Sequence, residues 1–155
     1  MDAIGTLAVK LSEFNVNEIL RKILDTQGYG ALIPQMVKSR LGSEGTYSTG
    51  EPIFTKKGNP YSSFTVAVKS QQTGVSGITS HVTLHDSGKF WSTFALKPTK
   101  TSFSVEYNDN KPDGKVSDNI PALESAISLT DQELDELRYI KILPDFIEEF
   151  RNAIL

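Results

Sequence analysis

Apolar positions along this chain follow a helical spacing at both ends and a two-residue alternation between them. Ile4, Leu7, Ala8 and Leu11 share one helical face; the subset Leu7, Val9 and Leu11 would also fit a strand, and the helix is the preferred reading. Ile19, Leu20, Ile23 and Leu24 mark a second helix, capped by Asn15 or Asn17 and ending near Gly28. Around Pro34, residues Leu32, Ile33, Met36, Val37 and Leu41 predict a third, short helix with the proline in its first turn, where the missing N–H is no loss. Residues 42–50 are rich in glycine, serine and threonine and open a loop into the next region.

Strand candidates fall at 52–55, 61–69, 78–84, 90–96 and 101–107, with turn residues between them. In the second of these Phe64, Val66 and Val68 share one face and are expected in the core, opposite Ser63, Thr65, Ala67 and Lys69. The same alternation assigns Phe90 and Phe94 to the core and Trp91 to the opposite face. Five short strands on such connections predict an α+β fold, a five-stranded antiparallel barrel of the oligonucleotide-binding kind or a curled sheet, flanked by N- and C-terminal helices. Residues 109–119 read as a polar linker. Beyond it Thr130 and Glu133 form a capping box, and Leu134, Leu137 and Ile140 carry a helix on to Pro144. A last helix over 145–155 aligns Phe146, Phe150 and Ile154 on one stripe, with Ile147 alongside. The expected organisation is a helical segment at 1–41, a β domain at 42–108, the linker, and acidic helices at 120–155.

Composition narrows the classes. A chain of 155 residues with 38% hydrophobic content supports one ordinary core. Having no cysteine excludes disulfides, thiolate metal sites and cysteine nucleophiles. The apolar run at 4–11 is broken by Gly5, Thr6 and Lys10, so neither a signal peptide nor a membrane span is expected, and a cytoplasmic protein is, of cellular or viral origin. The net charge of −3 hides a gradient, with residues 51–115 at +3 and residues 116–155 at −6. A mildly acidic total leaves room for a locally basic face that meets phosphate.

Rings and cations are interleaved in that middle region, the two ingredients by which proteins hold unpaired bases and their phosphate thread. The candidates are Phe54, Lys56, Lys57, Tyr61, Lys69, His85, Lys89 and Trp91; burial in the core is the ordinary use of each ring, with Trp91 the best placed for a ligand, and solvation that of each lysine. His81-Val82-Thr83 matches half of a two-histidine phosphodiesterase signature. The only nearby counterpart, His85-Asp86-Ser87, lies too close in sequence to build a facing pair, so no catalysis is expected. No metal or cofactor motif is present.

Glu51, Pro52, Phe54, Thr55, Gly58, Phe64, Ala67 and Val68 together resemble the bacterial-type single-stranded DNA-binding proteins, in which an acidic residue and an aromatic-Thr pair precede a glycine turn and an F-x-x-A-V strand. The resemblance, extending over residues 51–84, implies an oligonucleotide-binding barrel and single-stranded DNA as ligand. The competing expectation is a non-enzymatic interaction or structural component, such as a viral assembly or host-interference protein. Its acidic C-terminal helices would meet a protein partner or a second copy of the chain.

Overall fold

The computed structural model describes residues 3–26, 28–99, 102–111 and 114–154. Helix α1 (Ala3–Glu13) is followed by α2 (Val16–Thr26). Of the two candidate caps Asn15 serves: its Oδ1 accepts the N–H groups of Asn17 at 3.1 Å and Glu18 at 3.3 Å. Gly28, in the left-handed region at φ 79°, starts α3 (Tyr29–Ser43), which is longer than its periodicity predicts and carries Pro34 one turn further in than expected. Tyr29, Ile33, Val37 and Leu41 recur every four residues along α3 and are buried. They link two apolar clusters, one around Ile23, Ile33 and Leu137 and one around Leu41, Ile53, Val82, Phe94 and Ile127.

The five-stranded barrel is not what forms. Among the described residues the sheet structure is one antiparallel pair, β1 (Ala95–Pro98) with β2 (Phe103–Glu106), and a two-residue pair, β3 (Asn110–Lys111) with β4 (Gly114–Lys115). Only the strand expected at 101–107 is realised over most of its length, residues 100 and 101 lying outside the described set. The candidate at 52–55 contributes a single bridge, Thr46 to Pro52, and residues 78–84 run irregularly. The start of the fourth candidate winds into the short helix α5 (Lys89–Ser92) before β1 begins.

The second candidate is a helix, α4 (Ser63–Lys69). Its alternating pattern has the strand period, but Ser62 sits at the N-cap with its Oγ accepting the Thr65 N–H at 3.2 Å, and Lys69 is pinned at the other end. A helical turn sends Thr65 and Lys69, four residues apart, toward the protein. Phe64, Val66 and Val68 are thereby left exposed, the reverse of the expected faces.

After the short helix α6 (Leu123–Ile127), the capping box forms as read: Thr130 Oγ1 accepts from Glu133 N, and Glu133 Oε2 accepts from Thr130 N at 2.7 Å. Helix α7 (Asp131–Asp135), a π-helical segment (Glu136–Ile142) and α8 (Leu143–Ile154) then run on without a break, where two helices meeting at Pro144 are expected. The Leu143 N–H reaches back five residues to the Arg138 carbonyl. A wider turn just before Pro144 suits a residue that has no N–H to donate and whose ring crowds the carbonyl four residues back. The predicted stripe turns inward: Phe146 and Phe150 meet the Phe14 ring edge-on at 6.1 and 4.8 Å. Tyr29 donates its hydroxyl to Asp145 at 2.6 Å, and Lys22 pairs with Glu149 at 2.6 Å, so both ends of the chain close on one another. Among the described residues no helix is long and apolar enough to cross a membrane.

Candidate functional site

Four of the residues singled out by sequence come together, but around an internal polar knot. Lys69 is 4% exposed; its ammonium donates to the His85 carbonyl at 2.9 Å and lies 5.0 Å from the centre of the Tyr61 ring. Tyr61 takes the Thr83 N–H on its hydroxyl at 2.9 Å, and Trp91 donates its indole N–H to the Thr83 carbonyl at 3.1 Å. His85 meets the Trp91 ring edge-on at 4.6 Å, and its Nδ1 lies 2.8 Å from Ser76 Oγ. Burial and then the Lys69 charge depress the His85 pKa, outweighing the opposite pull of Asp86. Against α3, Trp91 packs so closely that a Cβ on Gly42 would stand 3.3 Å from its ring. These contacts engage Lys69 and Trp91 within the protein itself.

The remaining candidates are exposed. Phe54, Lys56 and Lys57 stand on a turn held by Thr55 N–H to the Asn59 carbonyl at 3.1 Å and by Lys56 N–H to the Asn119 carbonyl at 2.9 Å. Lys89 is also exposed, at the start of α5. His81 is tied by its Nε2 to the Gly42 carbonyl at 3.1 Å. No group of three or more His, Asp or Glu suited to a metal occurs among the described residues.

A feature that sequence reasoning did not single out is a groove of about 1130 Å³ walled by β2 on one side and by α2 and the C-terminal helix on the other. Every residue from Ser102 to Tyr107 borders it, as a strand does when it lies lengthwise along a cleft. Backbone geometry says which groups face out. Thr99 N–H donates to the Ser102 carbonyl at 2.7 Å, making 99 and 102 a hydrogen-bonded pair. By antiparallel alternation the next such pairs are Lys97 with Ser104 and Ala95 with Glu106. Pro98 then falls opposite Phe103 in a non-hydrogen-bonded pair, the position that tolerates a residue with no N–H. Phe103 and Val105 therefore aim their N–H and C=O groups at the free edge, which no strand among the described residues covers.

No family model, curated protein or solved structure matches this chain. The likeness to single-stranded DNA-binding proteins thus stands on the residues quoted above, and the site on its geometry.

The groove combines apolar walls with mixed charge. Leu20, Leu24, Phe103, Val105, Leu129 and Ile142 line it, while Arg21 and Arg138 stand on the helical side and Glu106 and Glu124 opposite. Both arginines are already partnered, with Asp25 and Asp135 at 3.6 Å. At one end burial, then Glu124 and Asp109, raise the pKa of the Tyr107 hydroxyl above its ordinary value. An unpaired strand edge beside such walls offers regularly spaced donors and acceptors together with side-chain pockets, and an extended polypeptide is the ligand that uses both.

Proposed function

We propose that this chain is a non-catalytic protein-binding module that takes an extended segment of a partner along β2, adding a strand to the free edge. The observation that carries the reading is the groove whose wall is the whole length of β2, with the backbone groups of Phe103 and Val105 directed outward. Main-chain hydrogen bonds would supply affinity, and alternate side chains dropping between Leu20, Leu24 and Ile142 would supply selectivity. Mixed charge along the groove favours a peptide with alternating apolar residues over a uniformly charged polymer.

Selection from a displayed library of random decapeptides tests it. Sequences with apolar residues at alternate positions are expected, and bound peptide should slow hydrogen exchange at the Phe103 and Val105 amides. Peptides that protect neither amide would defeat the proposal. A second reading, single-stranded nucleic acid, is favoured by one observation, the exposed Phe54 beside Lys56 and Lys57. Titration with a single-stranded homopolymer separates the two. Binding that weakens steeply with salt and is lost in a Lys56→Glu/Lys57→Glu variant supports nucleic acid; no binding leaves the groove reading standing.

A further inference from the structure

The C-terminal helix carries two apolar faces. Phe146 and Phe150 turn inward onto Phe14, but Tyr139, Ile140, Leu143 and Ile147 are 66%, 64%, 44% and 41% exposed. Ile140, in the π-helical segment, and Leu143 and Ile147, one α-helical turn apart in α8, are all exposed and form an apolar stripe along the outer side of the helix. The stripe ends in opposite charges: Glu136 stands four residues before Ile140, and Arg151 four residues after Ile147. Both are exposed, and neither is in an ion pair among the described residues.

An acid at one end of an apolar stripe and a base at the other make a surface complementary to itself when two copies lie antiparallel. About a two-fold axis between Leu143 and Pro144, Ile140 meets Ile147 of the partner subunit, and Glu136 meets Arg151 of the partner subunit, each contact occurring twice. We infer that this face of the C-terminal helix is a self-association surface and that its occupant is a second copy of this chain in antiparallel register. The charge match and the apolar match follow from one antiparallel register, since the axis that sets Ile140 against Ile147 also sets Glu136 against Arg151. A parallel pairing would set Glu136 against Glu136 and Arg151 against Arg151. The groove lies along a different side of the helix, bordered by Leu134, Arg138 and Ile142, and stays open in such a dimer.

A single pair of short helices buries less than the roughly 800 Å² per partner of a standard stable interface, so the dimer forms and dissociates with concentration. Sedimentation equilibrium of the full chain from about 1 µM to about 1 mM is expected to show the mass rising from one chain toward two, with a Kd on the order of tens of micromolar. Glu136→Arg and Arg151→Glu should each abolish that rise, placing like charges opposite one another at both ends. Mixing the two variants in equal amounts, or combining both changes in one chain, should restore it, because each acid again meets a base. Circular dichroism of each variant checks that helix content is kept, and Leu143→Glu should hold the chain monomeric in every background. A chain that stays monomeric at the highest concentration overturns the inference. So does a dimer that both single variants leave intact, or one that the mixture fails to restore, since a different partner or register would then cover this face.

Discussion

Arg40 joins segments that no single element would hold together. Its guanidinium, 6% exposed, pairs with Glu133 at 3.2 Å and donates to the carbonyls of Thr46, Ala126 and Ser128. Arg40→Ala would leave three carbonyls without their donor and the partly buried Glu133 carboxylate, still held by the Thr130 N–H, without its cation, so a loss of about 3 kcal/mol is expected in chemical denaturation. A cost under about 1 kcal/mol would show that water replaces the arginine. Gly45 is a second such point. At φ 62° it already needs a residue without Cβ, and an added Cβ would fall 2.6 Å from the His81 ring and 2.8 Å from the Val82 carbonyl. Gly58, at φ 76° with nothing within 4 Å, isolates the backbone part of that penalty. Gly58→Ala should cost about 1 kcal/mol and Gly45→Ala about 3 kcal/mol or more; equal costs would mean that the His81 contact yields freely. His85 sets a pH dependence whose sign is fixed. Its folded pKa is depressed, so the unfolded chain takes up the proton first, near about 6.5, and stability falls as pH drops from there to the folded pKa and then levels off. The His85 ring resonance should titrate below about 6.5, and His85→Gln should flatten that limb of the stability curve. A midpoint at or above 6.5 would contradict the burial argument.

Element by element, what was legible in the sequence follows the range of the interactions involved. The Asn15 cap, the left-handed Gly28 and the Thr130–Glu133 capping box are local, and each stands where its side-chain chemistry requires. The middle of the chain was misread because period-2 spacing tells which residues alternate but not whether a ladder partner exists for them. Residues 63–69 have the composition of a strand, yet no strand among the described residues lies beside them to pair with, and a helix satisfies its own backbone. Lys69 then finds its place beneath Tyr61, where a sequence reader puts a solvent-facing cation. The groove was illegible for a related reason, since α2, β2 and the C-terminal helix meet there only after folding. Helix α4 is the element most dependent on its cap: seven residues, three of them β-branched, are too few to persist alone. Ser62→Ala is expected to remove about 1 kcal/mol and to raise hydrogen exchange selectively at residues 65–69. Unchanged exchange there would assign the stability of α4 to the Lys69 anchor instead.

At the scale of the whole molecule, the two apolar clusters share α3, with Ile33 in one and Val37 and Leu41 in the other, and Val105 and Leu129 touch both. Loss of either cluster strips packing from the same helix, so they are coupled through a rigid element, and unfolding should be a single transition. Phe14 tests this from far away. It lies between α1 and α2, and its ring holds Phe146 and Phe150 edge-on at the C-terminal side of the structure. The lone tryptophan, Trp91, packs instead against the cluster around Val82 and Phe94. Phe14→Ala should cost about 2–3 kcal/mol, discounted from a fully buried phenylalanine because Phe14 keeps partial exposure. Under coupling, the denaturation midpoint read by Trp91 emission and the midpoint read by circular dichroism of the helices shift together, by the same amount. A dichroism midpoint that moves while the Trp91 midpoint stays fixed would mean that the paired ends melt away from a separately stable centre. In that case β2 would stand without the helices that wall the groove on its other side, and the proposed peptide capture would be lost before the Trp91 environment changed.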